Sequence, residues 1–306
     1  MKKKYVLLIL VIGLALSLIY ARYNYRMILY YITPDITLNA DEVKLPVLVY
    51  HHFSEEKKNQ SALVVGRENF RRQIKYLKDN GYHAISIREL VDFVEKEVPL
   101  PEKPVLITID DGYESNYTIA FEVLKEFNTK ATIFMIGHAV GSTSYKETGA
   151  PLDPYITLEQ GREMIASGLV SIQSHSMDMH QIADYEKYLN NDKIRISATK
   201  KDFDTDDSYL EYFNQDTARS KQQITQDFGE DWLAYSYPLG HYDDLTEELL
   251  SQSGIKVTMS VDKGMNVIQM KNPKTLRTLK RFLVSDKTSD QTLSYMLRAA
   301  GRRKND

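Results

Sequence analysis

The sequence predicts an α/β fold, a distorted (β/α) barrel preceded by one N-terminal transmembrane helix. Three observations lead there. Short apolar runs alternate with amphipathic stretches along most of the chain. The runs are apolar on both faces, as expected of parallel strands covered by helices. An uncharged apolar segment opens the sequence. With 306 residues and 42% hydrophobic content, the chain can bury a sizeable core.

The first element is the apolar run Tyr5–Ala21, preceded by Lys2, Lys3 and Lys4 and followed by Arg22. It is long enough to span a bilayer, and the basic flank should stay cytoplasmic and send the rest outside. A cleaved signal peptide is the competing reading, but no small-x-small site follows the run, and Tyr23 and Tyr25 fit an interfacial belt. Residues 1–22 are therefore expected to anchor the protein in the cell membrane, 23–44 to form a juxtamembrane stalk, and 45–306 to form the extracellular domain. Five cations and no acid lie in the first thirty residues, so the remainder is more acidic than the whole chain's net −3. A mildly acidic body suits nucleic-acid phosphates poorly, which excludes that class of partner. There is no cysteine, so disulfides and a lipidated Cys are excluded, and any metal site must use His and carboxylates.

In chain order the expected elements are strand Pro46–Phe53, helix Glu68–Asn80, strand His83–Ile87, helix Ile87–Glu95, strand Val105–Asp110, helix Ser115–Phe127 and strand Ala131–Ile136. Then come helix Leu158–Ser167, strand Leu169–Gln173, helix Thr217–Phe228, strand Trp232–Tyr237, helix Leu245–Ser253, strands Lys256–Val261 and Leu279–Val284, and helix Gln291–Ala300. Asn80-Gly81 and Ser253-Gly254 supply helix stops, and Thr157 with Gln160 a capping box. Two segments break the rhythm, Gly141–Ile156 and the long polar Gln181–Gln215. Both follow strands and should lie at the C-terminal rim, as functional loops or as tolerated insertions.

Chemistry concentrates at strand ends. Thr108-Ile109-Asp110-Asp111-Gly112-Tyr113 closes an apolar strand with two carboxylates and a glycine. A turn at Gly112 could bring both to one site, one binding a cation and the other accepting a proton; a solvated turn is the plain alternative. His175 and His180 follow another strand, five residues apart rather than at the helical spacing of four, and can converge if the chain turns between them. Two imidazoles and a carboxylate form a facial ligand set with open positions.

Together these segments resemble the polysaccharide deacetylase family with the NodB homology domain (carbohydrate esterase family 4). Thr108–Gly112 and Ser-His-Ser-x-Asp-x-His at 174–180 are similar to its first two motifs, Tyr235–Tyr242 to its third in the Tyr-Pro-x-Gly-x-Tyr form, and Leu279–Phe282 to its late Arg-containing strand. Tyr50-His51-His52-Phe53 resembles the early segment of the branch acting on poly-N-acetylglucosamine. The resemblance implies a distorted barrel of the NodB type and a polysaccharide N-deacetylase. Asp111, His175 and His180 would hold a divalent metal, zinc first, with cobalt, nickel or manganese able to replace it. Asp110 would be the general base. Tyr237, Pro238, Gly240 and Tyr242 would line the substrate and oxyanion region, Tyr113, Tyr237 and Tyr242 being placed to stack on sugar rings.

One departure matters. Family members commonly draw their general acid from a late Leu-x-x-His motif, yet no His follows His241 here. The resembling branch points instead to His51, with His241 as the alternative; on a strand His51 and His52 face opposite sides. Arg281 either pairs with Asp110 and holds it ionised or is a surface cation. Peptidoglycan, poly-N-acetylglucosamine and a wall-polymer linkage unit all suit as N-acetylglucosamine-containing substrates. Two other classes remain: a non-catalytic wall-polysaccharide binder retaining the fold, and a carboxylate glycoside hydrolase, to which adjacent Asp110 and Asp111 are poorly suited.

Overall fold

The computed structural model describes residues 13–18, 20, 38–55, 61–200 and 205–298. The anchor expected over 1–22 and the stalk over 23–44 fall largely outside these residues. No helix among the described residues is long and apolar enough to cross a membrane.

The first half of the domain runs β1 (Glu42–Leu45), β2 (Val47–Tyr50), β3 (His52–Ser54), β4 (Val64–Gly66), α1 (Arg67–Asp79), β5 (His83–Ala84), α2 (Ile87–Lys96), β6 (Pro104–Asp111), α3 (Glu122–Phe127) and β7 (Ala131–Met135). The second half runs β8 (Ser144–Tyr145), β9 (Ala150–Pro151), α4 (Leu158–Ala166), β10 (Val170–Ser174), α5 (Ala183–Tyr188), α6 (Asp206–Gln222), β11 (Ala234–Ser236), α7 (Asp244–Gln252), β12 (Val257–Met259), β13 (Asn266–Gln269), β14 (Phe282–Leu283) and α8 (Asp290–Arg298).

One eight-stranded sheet carries the domain, in the order β12-β11-β10-β7-β6-β2-β14, with β5 also paired to β6. All of its pairings are parallel. The sheet curls, because the strip from Leu279 to Val284 touches both edges. Leu279 donates to Thr258 O (2.8 Å) and accepts from Ser260 N–H (3.0 Å), while β14 pairs with β2. The curl is uneven between β10 and β11, where only Ser174 and Tyr235 pair. There the buried Gln173 side chain stands in for missing backbone partners. Its Oε1 accepts from Leu233 and Ala234 N–H, and its Nε2 donates to Asp231 O.

Strand alternation sorts the core into two layers. Leu48, Ile107, Ile133, Ile172 and Tyr235 face the covering helices. Val47, Leu106, Phe134, Ala234, Val257 and Leu279 form the other layer with α2. The capping box expected at Thr157 and Gln160 is present.

Three expectations need correction. Residues 42–44, assigned to the stalk, form β1, antiparallel to β13. Gly141–Ile156 contains the β8–β9 hairpin rather than plain loop. The helix expected over Thr217–Phe228 begins at Asp206, inside the polar segment. Its buried positions are Tyr209, Phe213, Asp216, Thr217 and Ser220, so much of its inward face is polar and apolar periodicity cannot reveal it.

Candidate active site

The same alternation assembles the site. Continuing the layer of Val47, Leu106, Ala234 and Leu279 to the strands' C-terminal ends brings His51, Asp110, Ser236 and Arg281 to one face, and Gln173 leads to His175 on that face. Tyr50, Tyr235 and Phe282 belong to the opposite layer.

Adjacent carboxylates on a strand would normally diverge. Here β6 ends in two left-handed residues, Asp111 (φ 75°) and Gly112 (φ 84°), so the turn starts one residue earlier than Gly112. A side chain at Gly112 would bring its Cβ to 2.9 Å from Met135 Cγ. The left-handed Asp111 costs about 1–2 kcal/mol, and both carboxylates interact with His175.

Asp111, His175 and His180 each offer a ligand atom, all within 4.8 Å of one another. Asp111 Oδ1 lies 3.5 Å from His175 Nε2 and 3.9 Å from His180 Nε2. His175 Nδ1 sits 2.7 Å from Ser236 O. A carbonyl only accepts, so Nδ1 carries the proton and Nε2 presents its lone pair toward Asp111. Burial lowers the His175 pKa to about 3, against the attraction of Asp110, and lowers that of His180 too. Both rings are neutral, the form that ligates metal. Burial raises Asp111 to about 6, His51 opposing and Asp110 adding. Two neutral imidazoles and a carboxylate with converging donors fit a divalent cation.

Asp110 is held differently. Its Oδ1 accepts from Arg281 Nη1 (2.8 Å) and its Oδ2 from Ser236 Oγ (3.2 Å), while Arg281 Nε donates to Ser260 O (2.8 Å). The side chains are 1% exposed for Arg281 and 3% for Asp110, so Arg281 is not a surface cation. Burial would raise the Asp110 pKa, but Arg281, with His175 and His51, outweighs it and holds the carboxyl well below the usual range.

His51 acts electrostatically on both carboxylates, and its Nδ1 is buried without a hydrogen-bond partner among the described residues. His52 instead pairs with Ser115 Oγ (2.9 Å), its ring edge against Tyr113. His241 is exposed, its backbone N–H bonded to Pro238 O.

The turn after β11 departs from expectation at Tyr237. That side chain is fully buried, its hydroxyl donating to Glu247 Oε1 on α7, and its N–H is spent on Met259 O. It can neither stack on a sugar nor offer an amide. Gly240 N–H is likewise spent on Tyr237 O, and Pro238 has none. Gly240 is left-handed (φ 69°), and a Cβ there would fall 2.3 Å from Val261 Cγ2. Leu239, also left-handed (φ 56°), stands exposed at the rim. Tyr242 stacks on Tyr237 (5.3 Å between ring centroids) and remains 38% exposed.

The polysaccharide deacetylase family model matches residues 97–258, which include β6, β7, β10 and β11. The chain belongs to the polysaccharide deacetylase family. YxkH of Bacillus subtilis (strain 168), which carries a polysaccharide deacetylase name, is 31% identical over 221 residues, 72% of this chain and 66% of its own length. The poly-beta-1,6-N-acetyl-D-glucosamine N-deacetylase of Escherichia coli (strain K12) is 25% identical over 252 residues, 78% of this chain but only 36% of its own length. Among solved structures, IcaB from Ammonifex degensii superposes with a TM-score of 0.65 at 26% identity, covering 83% of this chain and 97% of that one.

For this deacetylase-family chain, reading by motif missed two site residues. Ser236 lies inside a quoted motif between Tyr235 and Tyr237; period-two alternation alone turns it toward Asp110. Leu239 lies in the same motif, and its exposed side chain carries no chemical signal.

Proposed function

We propose that this protein removes acetyl groups from N-acetylglucosamine residues of an extracellular or cell-wall polysaccharide, using a divalent metal ion held by Asp111, His175 and His180. The observation that carries the reading is the meeting of those three donors beside the buried Asp110–Arg281 pair. Zinc suits the donor set best, and cobalt, nickel or manganese could replace it. When bound, the cation would polarise the acetyl carbonyl and lower the pKa of a water toward about 7.

The remaining roles fall to the chain's own groups. Asp110, kept ionised by Arg281 and oriented by Ser236, takes the proton of the attacking water. Leu239 N–H, the amide of its turn not spent on Met259 or Tyr237, donates to the developing oxyanion; one such donor contributes roughly 2.7–4 kcal/mol. His51 protonates the departing sugar nitrogen as the C–N bond breaks, leaving acetate and a free amine. Tyr113 and Tyr242 are placed to contact sugar rings.

The relatives' names favour poly-β-1,6-N-acetylglucosamine as the polymer. The basic N-terminal flank and the apolar run support a membrane-anchored protein with its catalytic domain outside. Acetate release should be measured on poly-N-acetylglucosamine and on peptidoglycan glycan strands, before chelation, after it, and after metal add-back. Release that is lost and then restored is expected. Full release by the chelated protein would end the metal reading, and no release from any N-acetylated polymer would end the enzymatic one.

A further inference from the structure

The two imidazoles of the candidate metal centre sit at either end of a short loop, and the middle of that loop is held from outside it. Four consecutive backbone N–H groups between His175 and His180 are each taken by a side-chain oxygen. Ser176 N–H goes to Ser174 Oγ (3.1 Å), Met177 N–H to Asp216 Oδ1 (2.9 Å), Asp178 N–H to Asp216 Oδ2 (2.6 Å) and Met179 N–H to Ser176 Oγ (3.0 Å). The two central bonds come from one carboxylate on α6. Ser220, one helical turn further along the same face, meets Ser174 Oγ with its own hydroxyl at 2.7 Å. Ser176 is left-handed (φ 71°), a conformation that an unsupported loop would rarely hold.

Asp216 is only 4% exposed. Burial pushes its carboxyl up to about 7, the two amide bonds pulling the other way. A carboxylate buried at that cost calls for a reason. The two amides it accepts supply one. They lie midway between the histidines, where a shift of the backbone changes the distance between the rings.

We propose that Asp216 is a positioning residue for the metal centre: its carboxylate folds the 176–179 loop before metal arrives and so fixes the separation of His175 and His180. The proposal rests on the metal reading of that site. It assigns to α6, which grows out of the polar segment after β10, the task of templating the ligand loop. Groups that orient metal ligands typically contribute about 10–100-fold in affinity.

The test uses the full chain and needs no substrate. Zinc affinity would be measured by chelator competition for the wild type, Asp216→Asn and Glu186→Gln. Glu186 is a control, a buried carboxylate on α5 held by Tyr145, Lys146 and Asn191; it reaches the ligand loop through Lys146, which also contacts the Asp178 side chain, but its recorded bonds include no loop amide. Asp216→Asn should bind zinc roughly 10–100-fold more weakly and alter the visible absorption of the Co(II)-loaded protein, while Glu186→Gln matches the wild type. Equal affinity and an unchanged cobalt spectrum in Asp216→Asn would overturn the proposal, as would equal weakening in both variants. Should Asp216→Asn fail to fold, hydrogen exchange in the metal-free wild type decides. The Met177 and Asp178 amides should already be protected, whereas protection that arises only on zinc binding means the metal, not Asp216, orders the loop. A wild type that binds no zinc would instead sink the metal reading itself.

Discussion

The Arg281–Asp110 pair offers the sharpest quantitative test. The two side chains touch at 2.8 Å and are 1% and 3% exposed, so neither charge has water to fall back on. With charge centres about 4 Å apart and an effective dielectric near 20, their attraction is about 4 kcal/mol. Replacing Arg281 with Met keeps the volume roughly but strands a buried carboxylate, at about 3–5 kcal/mol. It also removes the donor to Ser260 O. For a domain of this size the loss corresponds to a melting-point drop of roughly 6–20 °C. Asp110→Asn alone should also destabilise, because it leaves the guanidinium uncompensated. The double variant, Asp110→Asn with Arg281→Met, should be no less stable than Arg281→Met alone, a coupling of about 2–3 kcal/mol. Equilibrium denaturation of chelated protein measures this without interference from metal. The sign of the pH dependence follows from the depressed Asp110 pKa. Its stabilisation is complete above the unfolded carboxylate's value of about 4 and is lost only as pH falls through the lower folded value. Without Arg281, burial raises the Asp110 pKa and eases its protonation, so the cycle should return a smaller coupling at pH 5 than at pH 7. Additivity within about 0.5 kcal/mol would refute the argument that the two groups act as a buried pair.

The remaining expectations concern chemistry and the β11 turn. Asp110→Asn should lower acetate release about 10²–10⁴-fold while zinc content is unchanged; unaltered release removes Asp110 from the proton transfer. His51→Ala should produce a similar loss with metal content spared, and His241→Ala none; the reverse pattern in release assays would move the acid role to His241. Gly240→Ala must place a Cβ against Val261 at a positive φ, so stability should fall by about 1–3 kcal/mol, read by denaturant titration. A neutral Gly240→Ala would mean the turn has room to relax.

What could be read from the sequence, and what could not, divides along physical lines. The strands of the main sheet are apolar on both faces, so Val105–Asp110 and Ala131–Ile136 stand out, and the structure places β6 and β7 there. β1 and β13 escaped because they are four residues each, and their antiparallel pairing joins segments far apart in sequence. α6 escaped because its buried face includes Asp216, Thr217 and Ser220. Asp216 bonds the ligand loop and Ser220 meets Ser174 at the end of β10, so the polarity that hid the helix ties it to the site. At the site, side chains with ionisable groups were legible from residue type and position. Groups that contribute through the backbone were not: Ser236 offers its carbonyl to His175, which does not depend on residue type. Tyr237 failed in the opposite sense. A rim tyrosine looks like a sugar platform, but Glu247, itself bound by Arg277 Nε at 2.7 Å, draws its hydroxyl inward.

A carboxylate glycoside hydrolase remains the rival that the geometry can address. Such an enzyme needs one carboxyl that is protonated and able to donate, facing a second across the sugar at about 5 Å or more. Asp110 cannot serve as that acid, since Arg281 and Ser236 occupy both of its oxygens and favour its ionised form. Asp111 is the group raised to about 6, but its Oδ1 lies 3.5 Å from His175 Nε2, turned toward the imidazoles rather than across an open cleft. Neither carboxyl therefore suits the role of that acid. Chelation should abolish acetate release, and add-back of zinc should restore it, with no reducing sugar formed at any stage. Reducing ends released by chelated protein would show that the carboxylates act alone, and the amidohydrolase reading would fall with the metal.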